Sequence, residues 1–270
     1  MSQFNNVMEI LKLLEKSNCR KCDEPTCLAF AAKVFTGEKQ LSDCPRIDPE
    51  TAARHGVQEK KKTAYEVDVD RALETMKEKI ARADLSEASS RTGGVFENGK
   101  LTLKIMGKDF SVDQNGKLYS DIHVNPWVAG PVLSYILNCE GRSLTGDWAP
   151  MRELPGGKDW ARFFEHQCVR PLKKVADHYT DFFMDIVKLF NGRKTDLFFQ
   201  SDMALVLSPL PLTPILICYW NPEEGMESDL KVFFDSSAGD NIGAEGLYSL
   251  GVGILRMFEK LSRRHGVTTS

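Results

Sequence analysis

Apolar residues first recur at helical spacing over residues 4–16, where Phe4, Val7, Met8, Ile10, Leu11 and Leu14 share one face and predict an amphipathic helix. Pro25 and Thr26 precede a second run of this kind, Cys27-Leu-Ala-Phe-Ala-Ala-Lys-Val-Phe35, which predicts a helix starting just before Cys27. Beyond Cys44 the chain reads Pro45-Arg-Ile-Asp-Pro49 and then a polar stretch with Lys60 to Lys62, where it leaves this first module. Val69, Leu73, Met76 and Ile80 predict a helix from Asp68 to Arg82, and the polar segment Asp84 to Gly94 reads as a domain linker.

From Val95 the period changes to two. Val95-Phe96, Leu101 to Ile105 and Phe110 to Val112 predict short strands, separated by turns that contain Asn98-Gly99, Met106-Gly107 and Asn115-Gly116. The two Asn-Gly pairs make this an antiparallel meander. Pro126 opens a helix through Val132, Tyr135, Ile136 and Cys139, stopped by Gly141. After a loop around Trp148, Pro150, Pro155, Gly156 and Gly157, a helical run extends from Asp159 to Phe190, with a break or kink predicted at Pro171. Met203 to Leu207, Pro214 to Trp220 and Leu230 to Asp235 read as strands, and a last helix from about Ala244 to Arg264 ends at Gly266. The order predicts an α+β fold class, a small helical module followed by a larger domain with a mainly antiparallel sheet and packed helices. The domain boundaries expected are 1–66 for the first module, 67–92 for a helix and linker, and 93–270 for the larger domain.

Composition narrows the function classes. With 270 residues and 42% hydrophobic content, the chain has room for a substantial core plus a small metal-organised module. Its 35 basic and 38 acidic residues give a formal charge of −3, which offers no broad electropositive field for nucleic acid. The most apolar stretch, Ala204 to Trp220, is short and holds Pro209, Pro211 and Pro214, so it reads as two buried strands and not a membrane span. Seven cysteines without an export signal predict a reducing, cytoplasmic setting.

Four of those cysteines, Cys19, Cys22, Cys27 and Cys44, stand as C-x2-C-x4-C-x16-C with Pro45 directly after. A [4Fe-4S] cluster needs one thiolate per iron, and a short loop wraps three corners while the fourth ligand returns from a distance. Zinc is the competing metal, although its four-cysteine sites usually pair two tight knuckles and this chain has one. Cys139, Cys168 and Cys218 fall in apolar or helical settings and read as buried structural thiols.

The segment Ser17 to Arg46, with Asn18-Cys-Arg-Lys-Cys-Asp-Glu-Pro-Thr-Cys-Leu-Ala-Phe-Ala31 and the closing Asp43-Cys-Pro-Arg46, resembles the cluster module of the corrinoid iron-sulfur protein large subunit. A related module occurs in the Rnf-type electron-transport subunit. The resemblance implies a [4Fe-4S] cluster on Cys19, Cys22, Cys27 and Cys44 and low-potential one-electron transfer, which in the corrinoid relative restores cobalt to its reduced state. Those modules usually have glycine after the second cysteine, whereas this chain has Asp23 and then Glu24. Two acidic groups beside a cluster lower its potential unless they are neutralised. The remainder resembles a domain-of-unknown-function family found after such modules in anaerobes, through Gly141 to Gly157, Pro211 to Glu224 and Val232 to Ser237.

Other candidates are less specific. Gly156 and Gly157 ahead of a helix, with Arg152 alongside, could present amides and a cation to an anion, or form a plain helix-entry turn. His123 could be an axial ligand to a corrinoid or other tetrapyrrole, as could His166 or His178, but Asp121-Ile-His123 continues as Val-Asn-Pro and lacks the D-x-H-x-x-G corrinoid signature. His166 and Cys168 fall on different sides of a helix. Asp235 closes a strand and either caps the next segment or lines a pocket. Trp127, Trp148, Trp160 and Trp220, with Tyr135 and Phe163, are either core or the walls of a flat-ligand pocket. No hydrolytic constellation can be assembled. The expected function is a redox protein passing single electrons to a bound cofactor, a redox partner or a corrinoid protein, as an oxidoreductase or electron-transfer component. The alternative is a non-catalytic ligand- or protein-binding module with a structural cluster.

Overall fold

The computed structural model describes residue 4 and residues 6–55, 64–122, 124–179, 181–196 and 198–264. The Lys60 to Lys62 exit, His123 and the Gly266 stop lie outside the described residues. Two compact units divide the chain, Met1–Asp68 and Val69–Ser270.

In the first unit, α1 (Val7–Leu13) begins at Asn6, whose side chain accepts from the Glu9 N–H. It is shorter than the 4–16 period, and Met8 is exposed. Thr26 caps α2 (Cys27–Phe35) by accepting from the Ala29 N–H at 3.0 Å, as a threonine at this position does. A 3-10 turn, Leu41–Asp43, and α3 (Pro49–His55) follow. Ile10, Phe30, Val34 and Leu41 meet in a small core that also takes in Cys22.

The second unit begins within α4 (Ala64–Ile80), whose Ile80 is fully buried. The segment expected to be a linker is helical instead. Asp84 caps α5 (Leu85–Thr92) through the Ser86 and Glu87 N–H groups, and Gly93 ends it at φ +67°. Its buried stripe is only Leu85, Ala88 and Thr92, so the outward serines and glutamate dominate its composition and hide a helix that tertiary packing selects.

The meander forms as expected, with β1 (Val95–Glu97), β2 (Lys100–Ile105) and β3 (Lys108–Asp113) antiparallel; a fourth strand, β4 (Leu118–Ser120), extends it. Leu101 opposes Val112 and Leu103 opposes Phe110, all buried on one face. Asn98-Gly99 and Met106-Gly107 both take left-handed φ values, the turns that match strand twist.

A second antiparallel sheet contains β5 (Trp148–Pro150), β6 (Arg193–Lys194), β7 (Met203–Leu207), β8 (Ile215–Trp220) and β9 (Asp229–Asp235), in the order β5-β9-β8-β7-β6. Its central strands read as apolar runs because both faces are covered. Leu205, Ile217 and Phe234 face the main core, whereas Val206, Leu216, Cys218 and Phe233 form a second cluster with Trp148, Phe198 and Trp220. No helix among the described residues is long and apolar enough to cross a membrane.

Helix α6 (Pro126–Asn138) packs against α10 (Ala238–Arg264), which breaks at Gly243, φ +74°. Between them in sequence, the 159–190 run does not stop at Pro171. Instead α7 (Gly157–Phe164) widens into a π turn, Glu165–Val169, before α8 (Arg170–His178), with Pro171 in its first turn. Pro171 has no N–H to offer the carbonyls one turn back, and the helical run accommodates it directly after the wider π turn. The interruption falls later, before α9 (Phe182–Phe190).

Candidate metal centre

The loop between α1 and α2 has an unusual backbone. Lys16, Asn18, Arg20 and Asp23 all adopt left-handed conformations, φ +50° to +62°, which cost a non-glycine residue on the order of 1 kcal/mol each. Left-handed residues interspersed along a loop turn its N–H groups inward, an arrangement recurrent at phosphate and iron-sulfur sites. Asp23, where related modules usually have glycine, keeps the left-handed turn at φ +62°, because aspartate tolerates that region better than most residues.

One small cavity is lined by Cys19, Cys22, Cys27 and Cys44 together, with Leu14, Phe30 and Arg46 among its other walls. Among the described residues no three His, Cys, Asp or Glu side chains converge closely enough to grip a single ion. Four thiols around one cavity supply one thiolate per iron of a [4Fe-4S] cluster, whereas four-cysteine zinc sites usually pair two tight knuckles and this loop has one. Donors already point at sulfur: the Asn18 N–H reaches Cys27 Sγ at 3.4 Å, while Asn18 Oδ1 accepts from the Cys27 N–H at 2.8 Å. The Lys21 N–H holds the Cys19 thiol below its usual pKa against the opposing effect of burial, helped by the Ser17 side chain and the Arg46 charge. Arg46 is itself fixed by Glu15 at 2.9 Å.

Glu24 is buried beside this loop, and it is neutralised. Lys33 Nζ lies 2.7 Å and Lys39 Nζ 3.3 Å from its carboxylate, and Lys39 also donates to the Cys22 carbonyl. The Lys33 hydrogen bond holds the Glu24 carboxyl below its ordinary pKa.

The remaining cysteines are of another kind. Burial pushes the Cys168 thiol up to about 12 and raises Cys218 as well, and Cys139 Sγ donates to the Arg91 carbonyl at 3.2 Å. Of the other candidates, Gly157 donates its N–H to Leu154 at 2.9 Å, and a Cβ there would lie 1.7 Å from the Met151 carbonyl. That glycine is required by the close approach of its own turn. Arg152 is exposed and pairs with Glu153 at 3.5 Å. His166 is exposed and Cys168 buried, on opposite sides as their spacing requires. The aromatic residues do not share one pocket: Trp160 meets Phe163 and Tyr248, Trp127 stacks under Arg256, and Tyr135 lies in the core.

A polar clamp in the larger unit was only partly legible from sequence. Asp235, 1% exposed, accepts from the N–H groups of Thr145, Gly146 and Ser237 and from the hydroxyls of Thr145 and Ser237. Asn241, fully buried, accepts from the Arg142 N–H and donates to the Arg142 and Leu212 carbonyls.

Fold and site together define an α+β protein carrying a four-cysteine module. The chain belongs to the family described as "Domain of unknown function (DUF3786)", whose model matches residues 84–257. Residues 14–46 match the model described as "Putative Fe-S cluster", which makes the first unit an iron-sulfur module. Subunit gamma 1 of the acetyl-CoA decarbonylase/synthase complex of Methanosarcina thermophila is similar over 98% of this chain and 56% of its own length, at 25% identity. The corrinoid/iron-sulfur protein large subunit of Moorella thermoacetica is 48% identical over 40 residues, 15% of this chain and 9% of that protein. Even in the long alignment the chain spans only about half of its curated relative, at 56%. No solved structure matches the chain.

Proposed function

We propose that this chain is a cytoplasmic redox protein that holds a [4Fe-4S] cluster on Cys19, Cys22, Cys27 and Cys44 and passes single low-potential electrons to a partner handling a corrinoid or other tetrapyrrole. The observation that carries the reading is the convergence of all four thiols on one cavity beneath a left-handed loop. Such a cluster supplies one-electron chemistry whose potential follows net charge and hydrogen bonds to sulfur. The chain's own residues set both. Lys33 and Lys39 cancel the Glu24 charge and leave the pocket's buried carboxylate without the potential-lowering effect that sequence alone assigns to it. The Asn18 amide holds Cys27 in place. Similarity to relatives named for corrinoid and acetyl-CoA decarbonylase/synthase assemblies supports a partner of this class.

Anaerobic reconstitution followed by EPR of the reduced protein tests the proposal, with one cluster signal per chain as the expected result. Stoichiometric zinc with no cluster signal ends it. A structural cluster is the second reading, favoured by the packing of Cys22 into the small core beside Phe30. Cys27→Ser separates the two: retained helix packing with loss of electron transfer supports the redox role, and unfolding of the first unit supports the structural one.

A further inference from the structure

The cysteine loop presents an excess of cationic side chains to solvent. Lys16, Arg20 and Lys21 are exposed, and among the described residues none of the three has an ion-pair partner. The acids of the same stretch are largely occupied. Arg46 takes Glu15 at 2.9 Å, and Lys33 and Lys39 take Glu24, leaving Asp23 as the exposed acid of the loop. Lys16 and Arg20 hold left-handed backbones, φ +56° and +60°, where glycine or asparagine would be less strained. Strain of this kind collects at functional sites. The loop divides its groups, with the Asn18 amide turned toward a thiol and the cations toward solvent.

The thiols lie close to this surface. Cys19, Cys27 and Cys44 are half-buried, whereas Cys22 is buried. Leu28, directly after Cys27, is 51% exposed and adds an apolar contact to the charged loop. Weak electron-transfer encounters use small interfaces, and unpaired charge of one sign speeds them by attracting the opposite sign from a distance.

We propose that this loop is the docking face for an acidic one-electron carrier protein, drawn in by Lys16, Arg20 and Lys21 and seated on Leu28. The inference rests on the electron-transfer reading and adds the chemistry of the donor. One electron leaves the reduced carrier and enters the cluster, and no bond forms or breaks. The negative charge gained on the chain's side weakens its attraction for the acidic carrier and so favours release.

Fluorescence anisotropy of the reconstituted full chain with a labelled, oxidised plant-type ferredoxin, chosen for its acidic surface, reads docking without electron flow. Saturable binding is expected, weakened about tenfold as salt rises from low to physiological strength and about tenfold by Lys16→Glu/Lys21→Glu. Arg20 also lines the cavity and is left in place. Stopped-flow reduction then reads the sign of the charge. The double variant should slow reduction by reduced ferredoxin and speed reduction by the methyl viologen radical, which is a cation. Slowing of both, or binding that ignores salt and the variant, overturns the proposal. So does a dimer in sedimentation that the double variant dissociates, because a second copy would then cover the loop. A cluster that methyl viologen reduces in a chain that ferredoxin does not bind sinks the docking inference alone. Salt-sensitive binding to a chain with no reducible cluster sinks the electron-transfer reading, and the carrier's role with it.

Discussion

Two exposed loops of this molecule, residues 16–23 and residues 141–147, are both irregular and both held in one conformation, by opposite means. The later loop is completed from within. Asp235 and Asn241, buried and distant in sequence, take the amides of Arg142, Thr145 and Gly146 and leave that backbone satisfied. The earlier loop gathers strained residues and four thiols around a cavity, with one amide already aimed at a sulfur. A loop that finishes its own hydrogen bonds needs no ligand, whereas one that stores strain around unpaired sulfur is built for one. The cysteines follow the same division, since hydrogen bonding lowers the Cys19 thiol and burial raises that of Cys168.

The largest effect that would break this contrast is chemical. In metal-free protein at mildly alkaline pH, iodoacetamide should modify Cys19 on the order of a thousandfold faster than Cys168, because the thiolate is the reactive form. Mass spectrometry of alkylated peptides reads the ratio, and comparable rates would erase the distinction.

Next comes core size. Phe30 and Phe258 are equally buried, at 1% and 0% exposure, in cores of very different extent. Each Phe→Ala change should cost about 3–5 kcal/mol. That loss unfolds the first unit but is absorbed by the second, because small units bury too little surface to spare it. All four tryptophans, Trp127, Trp148, Trp160 and Trp220, belong to the larger unit, so Phe30→Ala should leave their emission and its denaturation midpoint unchanged while far-ultraviolet circular dichroism falls.

A smaller effect tests the clamp. Asp235→Ala should cost roughly 2–3 kcal/mol by leaving several buried donors unpaired. Burial alone would raise this carboxyl, but the Ser237, Thr145 and Gly146 hydrogen bonds outweigh it and hold the pKa below the ordinary value. The stabilisation is therefore complete above the ordinary carboxylate pKa of about 4 and is lost as pH falls through the lower folded-state value. Amide exchange at Thr145 and Gly146 should accelerate over that acidic range in the native protein and at every pH in the variant.

Smallest is the adjustment of charge at the cysteine loop. Lys39→Met removes one of two cations that neutralise Glu24 and should lower the reduction potential of a bound cluster by on the order of tens of millivolts. A redox titration followed by EPR measures it, and an unchanged potential would mean that Lys39 acts only through the Cys22 carbonyl.

How much of this was legible depended on the range of the interactions involved. Thr26 and the apolar residues behind it announced α2, and the Asn-Gly pairs announced the meander, since caps and turns act within a few residues. The polar surface of α5 concealed it, because its buried side is three small contacts against distant elements. Pro171 announced a disturbance of the helical run but not its form, a π turn at Glu165–Val169 directly before the proline. Asp23 and Glu24 were visible as acidic neighbours of Cys22, but not the lysines, nine and fifteen residues beyond Glu24, that neutralise it.

The sequence by itself determined the four-cysteine spacing, the helix and strand periods and the α+β order, all of which follow from the chain's local geometry. Only the tertiary structure decided that the thiols share a cavity and that Asp235 reaches back some ninety residues to the 141–147 loop. Each of these depends on which distant segments pack together, and the core settles that choice through the combined burial of residues too far apart along the chain to show a common pattern.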